Sequence, residues 1–314
     1  MKSKIDSYII TGFLGAGKTT ILNSLLKQTN NTKNIVIENE FGKINIDASL
    51  IAGHVEGVFE LTNGCICCSI NNQLLETLQK IDELKDRPSN LFVETTGIAD
   101  AGEVGAVFSS FFVDKSFSLS KIVCVVDSDN FESYIDSNLE IQKQVVAADI
   151  VVLNKLNSID AYKIENLKAI IRTLNPFTDI VLSKDGSLAF DILKIPVKQK
   201  HKKEIPLSKI EVKHKIKTLL FETESRFNIQ QLKYELFKSL FLYYHQIYRM
   251  KGYVLDENGQ VYLVQTVGKN STIEPISDIS VEKSQLVVIG KEIELNAIER
   301  ILKPAIQKEI KIII

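Results

Sequence analysis

Short apolar runs alternate with longer amphipathic or polar stretches through the first two thirds of the chain. That alternation predicts βαβ units around a mainly parallel sheet. The candidate strands are Tyr8–Thr11, Asn34–Ile37, Leu91–Val93, Lys121–Val126, Ile150–Leu153 and Asp179–Leu182, with helices expected over 20–27 and 71–84. Four of the strands run directly into Glu38, Glu94, Asp127 and Asn154. Ligands of open α/β sheets bind outside the carboxyl ends of the strands, so these residues are expected to share one rim. Near Lys198 the pattern changes. Charged residues cluster over 198–204, and beyond Pro206 the order is strand (214–221), helix (229–243), two strands (251–255 and 261–267), strand (285–289) and helix (294–302). The pair Asn258-Gly259 between the middle strands is a hairpin signal. The expectation is a two-domain chain, α/β over 1–205 and a small α+β domain with an antiparallel sheet over 206–314.

The first strand opens into Gly12-Phe13-Leu14-Gly15-Ala16-Gly17-Lys18-Thr19, which fits G-x-x-x-x-G-K-[ST] at every fixed position. A strand before the motif and a helix after it make this a phosphate-binding loop, and the α/β domain is expected to be a P-loop NTPase domain. Glycines let the backbone curl so that successive amides, Ala16 among them, point inward at an anion. Lys18 reaches the outer phosphates, and the Thr19 hydroxyl is suited to magnesium. The following helix would direct its positive end at the same group.

The chain has 314 residues, 45% hydrophobic and 25% charged, with a net charge of -1. This is an ordinary globular composition, and it lacks the basic footprint of a nucleic-acid or anionic-membrane binder. The Lys-rich 198–203 stretch reads as a solvated linker. No apolar run approaches a membrane span and the polar first residues do not continue as a signal peptide, so a cytoplasmic protein is expected.

Of the four cysteines, three fall within Cys65-Ile66-Cys67-Cys68, after Asn63-Gly64 and before the 71–84 helix. Thiolates are soft ligands that suit zinc or copper(I), and a nearby helix N-terminus lowers thiol pKa. A redox C-x-x-C pair formed by Cys65 and Cys68 and a buried structural cluster are the competing readings. A sealed structural zinc site needs a fourth ligand that is not evident, so three thiolates describe an open, exchangeable site. Cys124, inside an apolar strand, is expected in the core.

The segments TGFLGAGKTT, IENEFG (37–42), NGCICCS (63–69), VETTG (93–97), VVD (125–127) and NK (154–155), in that order, resemble the CobW-like family of P-loop GTPases and metallochaperones. The stretch 249–268, with Lys251-Gly252 and Gln265-Thr266-Val267-Gly268, resembles that family's C-terminal domain. The resemblance implies GTP and magnesium as cofactors, slow GTP hydrolysis, and delivery of zinc or cobalt to a client metalloprotein. It implies that Gly12, Gly15, Gly17, Lys18, Thr19 and Thr20 hold the triphosphate and that Asn154 and Lys155 serve the base. Glu94 would stand in the magnesium shell, and Gly97 would act as a switch sensing the γ-phosphate. The 38–42 segment resembles switch I, with Glu40 toward magnesium and Glu38 as an additional ligand to the metal on Cys65, Cys67 and Cys68. A nucleotide-dependent homodimer is a further expectation.

Two features depart from the family pattern. The guanine-reading N-K-x-D ends here in Asn157, whose amide has one acceptor oxygen and no charge, so it cannot duplicate a carboxylate's two contacts. Asp160 is the candidate substitute. The family's histidine-rich tract is reduced to His201 and His214, which argues against metal storage. His54 is only a speculative ligand. A GTP-gated metallochaperone is the leading reading. The alternatives are a zinc-regulated nucleotide switch that docks without transferring metal, and a P-loop small-molecule kinase.

Overall fold

The computed structural model describes residues 3–38, 55–60, 69–157, 159–195, 216–243, 246–267, 270–277 and 279–306. They fall into two compact units, Met1–Glu211 and Val212–Ile314.

The first unit is built on strands β1 (Ile5–Thr11), β2 (Asn34–Glu38), β3 (Val55–Glu60), β4 (Asn90–Glu94), β5 (Phe117–Asp127), β6 (Ile150–Asn154), β7 (Asp179–Lys184) and β8 (Ser187–Leu188). They form one sheet in the order β3-β2-β4-β1-β5-β6-β7-β8. All pairs are parallel except the terminal β7–β8 hairpin. The helices are α1 (Lys18–Gln28), α2 (Ser69–Asp82), α3 (Ala101–Val107), α4 (Phe131–Ile135), α5 (Leu139–Ala147) and α6 (Ala161–Leu174). Central strands β2, β4 and β6 are buried at every position, which is why they read as continuous apolar runs rather than as alternation. Helix α1 buries Ile21, Leu22, Leu25 and Leu26 in a cluster with Ile10, Val36, Phe92, Val123 and Val152. The spacing of those four residues places one stripe on the sheet. Fully burying each such side chain stabilises the fold by roughly 1.5–3 kcal/mol.

Strand order reverses at β1. The chain leaves it toward β2, returns as β4 on one side, and crosses to β5 on the other. Such a switch point opens a crevice at the carboxyl ends of the strands, and the Gly12–Thr19 segment starts there, after Thr11.

The second unit carries β9 (Ile216–Thr223), α7 (Ile229–Tyr243), β10 (Ile247–Leu255), β11 (Val261–Val267), β12 (Asn270–Ile276), β13 (Ser284–Lys291) and α8 (Leu295–Leu302). Its five-stranded antiparallel sheet runs β12-β11-β10-β13-β9. Leu232, Leu236 and Leu240 of α7 and Ile298 and Leu302 of α8 share a core with Met250, Val254, Val264, Leu286 and Val288. The Asn258-Gly259 signal lies in the β10–β11 hairpin, where Asp256 Oδ1 accepts from the amides of Asn258 (2.9 Å) and Gln260 (2.8 Å).

Both the parallel α/β unit and the antiparallel α+β unit match the sequence expectation. Strands β3, β8 and β12 were not anticipated. β3 has its neighbour on one side only and carries a glycine, Gly57. β12 is an edge strand that contains Pro275, and proline is tolerated at an edge but weakens the sequence signal.

Candidate nucleotide and metal site

The loop between β1 and α1 takes backbone conformations that L-residues rarely adopt: φ is +140° at Gly12, +73° at Gly15 and +95° at Gly17. At Gly12 a Cβ would also lie 2.2 Å from the Val125 carbonyl oxygen, so the loop hugs β5 only because no side chain is there.

Helix α1 receives no side-chain cap at Gly17 and has no acidic residue in its first turn. Three other helices of this unit are closed by side chains: Asp100 accepts from Gly102 N and Glu103 N, Asn138 from Glu140 N and Ile141 N, and Asp160 from Lys163 N. No capping side chain and no acidic residue of α1's own first turn therefore competes with an anion for this helix N-terminus.

Lys18 Nζ lies 3.4 Å from Phe13 O, folded over the loop it follows. Thr19 Oγ1 donates to Glu94 Oε1 at 2.9 Å, bringing two hard oxygen ligands together at the ends of α1 and β4. The donor set suits magnesium. Glu94 is level in register with Ile10 on one side and with Glu38 on the other, and Glu38 is level with Glu60. Three glutamates therefore stand abreast at the carboxyl ends of β3, β2 and β4, and both Glu38 and Glu94 are buried.

Beyond Glu94, Thr95 is tied back to β1 through its amide to Ile10 O (2.9 Å) and its hydroxyl to Thr11 Oγ1 (3.0 Å). Gly97 packs so closely on the phosphate loop that a Cβ would lie 2.5 Å from the Leu14 amide nitrogen. Helix α5 holds the segment from behind. Gln144 Nε2 donates to Gly97 O (3.1 Å) and Ala99 O (3.2 Å), and Lys143 Nζ pairs with Asp100 Oδ2 at 2.9 Å. Gln144 was not singled out from sequence, because a glutamine on an amphipathic helix carries no signal of its tertiary partner.

At the far side of the loop, the buried Asn154 amide is bonded through both its nitrogen and its oxygen. Its Nδ2 donates to Ala16 O (3.0 Å) and its Oδ1 accepts from Gly186 N (3.2 Å). Lys155 has φ +61°, a conformation costly for a residue with a side chain, and its Nζ is anchored to Asp127 Oδ2 at 2.9 Å. Burial of Asp127 opposes ionisation, but hydrogen bonds from Lys155, Asn130 and the Asp129 amide outweigh it and hold the carboxyl below its ordinary range. Asn157 donates through Nδ2 to Asp185 Oδ1. Asp160 is the α6 cap, with Oδ1 2.8 Å from Lys163 N.

The residues expected to serve the nucleotide thus share one edge: Gly12, Gly15, Ala16, Gly17, Lys18, Thr19, Thr20, Glu94, Gly97, Asn154 and Lys155. Of the metal residues, Glu38 is on that edge, whereas Glu40, His54, Cys65, Cys67 and Cys68 lie outside the described residues, as do His201 and His214. Among the described residues no group of three or more His, Cys, Asp or Glu is arranged to hold a metal ion. Cys124 is buried as expected, and burial pushes its thiol up to about 12. No described helix is long and apolar enough to cross a membrane.

An uncapped α1 behind a glycine loop, with Thr19 on Glu94 and Asn154 clasping the loop, defines a P-loop nucleotide-binding domain. The model of the CobW/HypB/UreG nucleotide-binding domain matches residues 6–182, and that of the cobalamin synthesis protein CobW C-terminal domain matches 216–306. The chain belongs to this CobW family. It is 32% identical over 224 residues to the zinc chaperone CobW of Sinorhizobium sp, covering 61% of this chain and 62% of that one. It is 38% identical over 152 residues to the zinc chaperone YjiA of Escherichia coli K12, covering 47% and 48%. With zinc-regulated GTPase metalloprotein activator 1 of Schizosaccharomyces pombe it shares 33% identity over 193 residues, covering 57% and 46%. The chain thus spans between about half and three fifths of the length of these relatives. The crystal structure of zinc-bound YjiA GTPase superposes with a TM-score of 0.70 at 21% identity, covering 98% of this chain and 100% of that one, which shows a common fold.

Proposed function

We propose that this protein is a magnesium-dependent GTPase that carries a zinc ion, or alternatively cobalt, and hands it to a client metalloprotein when GTP is hydrolysed. The observation that carries the reading is the row of Glu60, Glu38 and Glu94 at the carboxyl ends of three adjacent strands, with Glu94 on Thr19 of the P-loop helix. Cys65 follows Glu60 by five residues, no more than ~18 Å of extended chain. The backbone register sets Glu60 beside Glu38 and Glu38 beside Glu94, so in this reading the soft metal and the phosphates are served from neighbouring strand ends. The relatives named as zinc chaperones and as a zinc-regulated GTPase support the choice of GTP and zinc.

In this reading Lys18 and the first amides of α1 bind the β- and γ-phosphates. Thr19 and Glu94 would hold magnesium, which spreads the phosphate charge during hydrolysis. Gly97, which packs on Leu14, would sense the loss of the γ-phosphate, and the change would pass through β4 to Glu38 on the neighbouring strand. Zinc is the cargo, held by Cys65, Cys67 and Cys68 with Glu38 as an added ligand. Phosphate release from magnesium-GTP by the full chain tests the enzymatic half. Steady turnover that falls by orders of magnitude in a folded Lys18→Ala variant is expected, and unchanged turnover would exclude this loop as the site of hydrolysis.

A further inference from the structure

A carboxylate from a different part of the chain stands where the guanine-reading motif lacks one. Strands β7 and β8 are joined by Asp185 and Gly186 alone, with Lys184 paired to Ser187. Both turn residues have positive φ, +52° and +76°. This is the two-residue type I′ geometry that Asp-Gly and Asn-Gly favour. The turn is pressed into the nucleotide site from two sides. Gly186 N donates to Asn154 Oδ1 at 3.2 Å, and a Cβ on Gly186 would lie 2.2 Å from the Thr20 methyl group in the first turn of α1. Asp185 projects beside it into solvent, where its Oδ1 accepts from Asn157 Nδ2.

Asn157 alone is a poor guanine reader. Its amide can turn either face outward, offering a donor to adenine N1 as readily as an acceptor to guanine N1–H. The bond to Asp185 removes that freedom, because a carboxylate only accepts, so the Nδ2 side must face Asp185 and the carbonyl oxygen faces away. Asn157 Oδ1 and the second oxygen of Asp185 then form a pair of acceptors, matching the two donors, N1–H and N2–H2, on the guanine edge. We propose that Asp185 is the specificity-determining carboxylate of the nucleotide site. It orients Asn157 and supplies the negative charge that position 157 lacks. The assignment rests on the nucleotide-site reading given above and deepens it.

Turn chemistry by itself accounts for an aspartate before Gly186, and Asp185→Asn separates the two roles because Asn-Gly serves a type I′ turn equally well. The experiment is equilibrium binding of GDP, ADP and xanthosine diphosphate, with magnesium, to the full-length protein. Xanthine presents a carbonyl where guanine has its N2 amine, so a lone Asn157 would favour xanthosine diphosphate, whereas the Asp185 pair favours GDP. The wild type is expected to bind GDP at least about tenfold more tightly than either competitor, as for a hydrogen bond to a charged group. Asp185→Asn is expected to lose that preference and gain affinity for xanthosine diphosphate. Adding Asn157→Asp to Asp185→Asn is expected to restore the preference for GDP. A wild type that favours xanthosine diphosphate, or an Asp185→Asn variant with unchanged ratios, overturns the proposal while the phosphate site stands. Failure of all three nucleotides to bind the wild type removes the site and the proposal together.

Discussion

Thr19 Oγ1 and Glu94 Oε1 are 2.9 Å apart, a hydrogen bond that joins the first turn of α1 to the end of β4 across 75 residues of chain. Two strands that are neighbours only because β4 inserts between β2 and β1 create that contact. If both oxygens serve magnesium, Glu94→Gln keeps the shape but loses the charge. Hydrolysis is then expected to fall by about two orders of magnitude, and more magnesium is needed to reach full GTP affinity. A magnesium titration of GTP binding with an unchanged midpoint would place the ion on other ligands.

Gly97 meets backbone rather than a flexible side chain, since its missing Cβ would sit 2.5 Å from the Leu14 amide nitrogen. Gly97→Ala must therefore shift the 97–99 segment relative to the phosphate loop, disturbing the bonds from Gln144 to Gly97 O and Ala99 O. Turnover is expected to drop at least about tenfold, with GDP affinity little changed. Parallel measurement of kcat and GDP affinity checks this, and equal loss in both would make Gly97 part of the binding loop instead of a switch.

Asp127 gives a prediction on the acid side. Its folded carboxyl titrates below the ordinary 3.8 because the bonds from Lys155, Asn130 and Asp129 outweigh burial. A depressed value means that the stabilisation is fully present above the unfolded value and is lost as pH falls through the lower, folded one. The melting temperature of the wild type is expected to exceed that of Asp127→Asn by a constant margin from neutral pH down to about pH 5, with the gap closing only below the ordinary carboxyl range. A gap that closes between pH 6 and 7 would assign it to another group.

Thiol chemistry distinguishes the cysteines. Cys124 is 1% exposed and its thiol is pushed up to about 12, so it is expected to resist a disulfide reagent at pH 8 until the protein is denatured. The remaining three, Cys65, Cys67 and Cys68, are expected to react in the native protein and to be protected by one equivalent of zinc. Zinc that protects none of the three would refute them as its ligands.

Much of this arrangement was legible in the sequence, for physical reasons that differ from element to element. Buried parallel strands such as Ile150–Asn154 announce themselves as apolar runs, and the Gly12–Thr19 spacing is dictated by a backbone that must take positive φ at three glycines. The rim position of Glu38, Glu94 and Asn154 followed from where those runs stop. What was not legible depends on contacts between distant segments. Gln144 reaching Gly97, Asp127 steadying Lys155, and Asp185 meeting Asn157 carry no local pattern. Asp160 looked available for base reading, yet it sits one residue before α6 and is used as that helix's cap. That role was open to sequence reasoning, since aspartate is a preferred cap.

The most direct measurement is zinc affinity as a function of nucleotide state. Zinc is titrated against a chelating competitor in the presence of magnesium-GTP, of magnesium-GDP, and without nucleotide. If Glu38 and Glu94 link the two sites, GTP must raise zinc affinity by the same factor by which zinc raises GTP affinity, about fivefold or more for a typical coupling. That difference must disappear when Cys65, Cys67 and Cys68 are all changed to serine. Equal zinc affinity in all three states would contradict a GTP-gated carrier, leaving a nucleotide-binding protein with an independent thiol site.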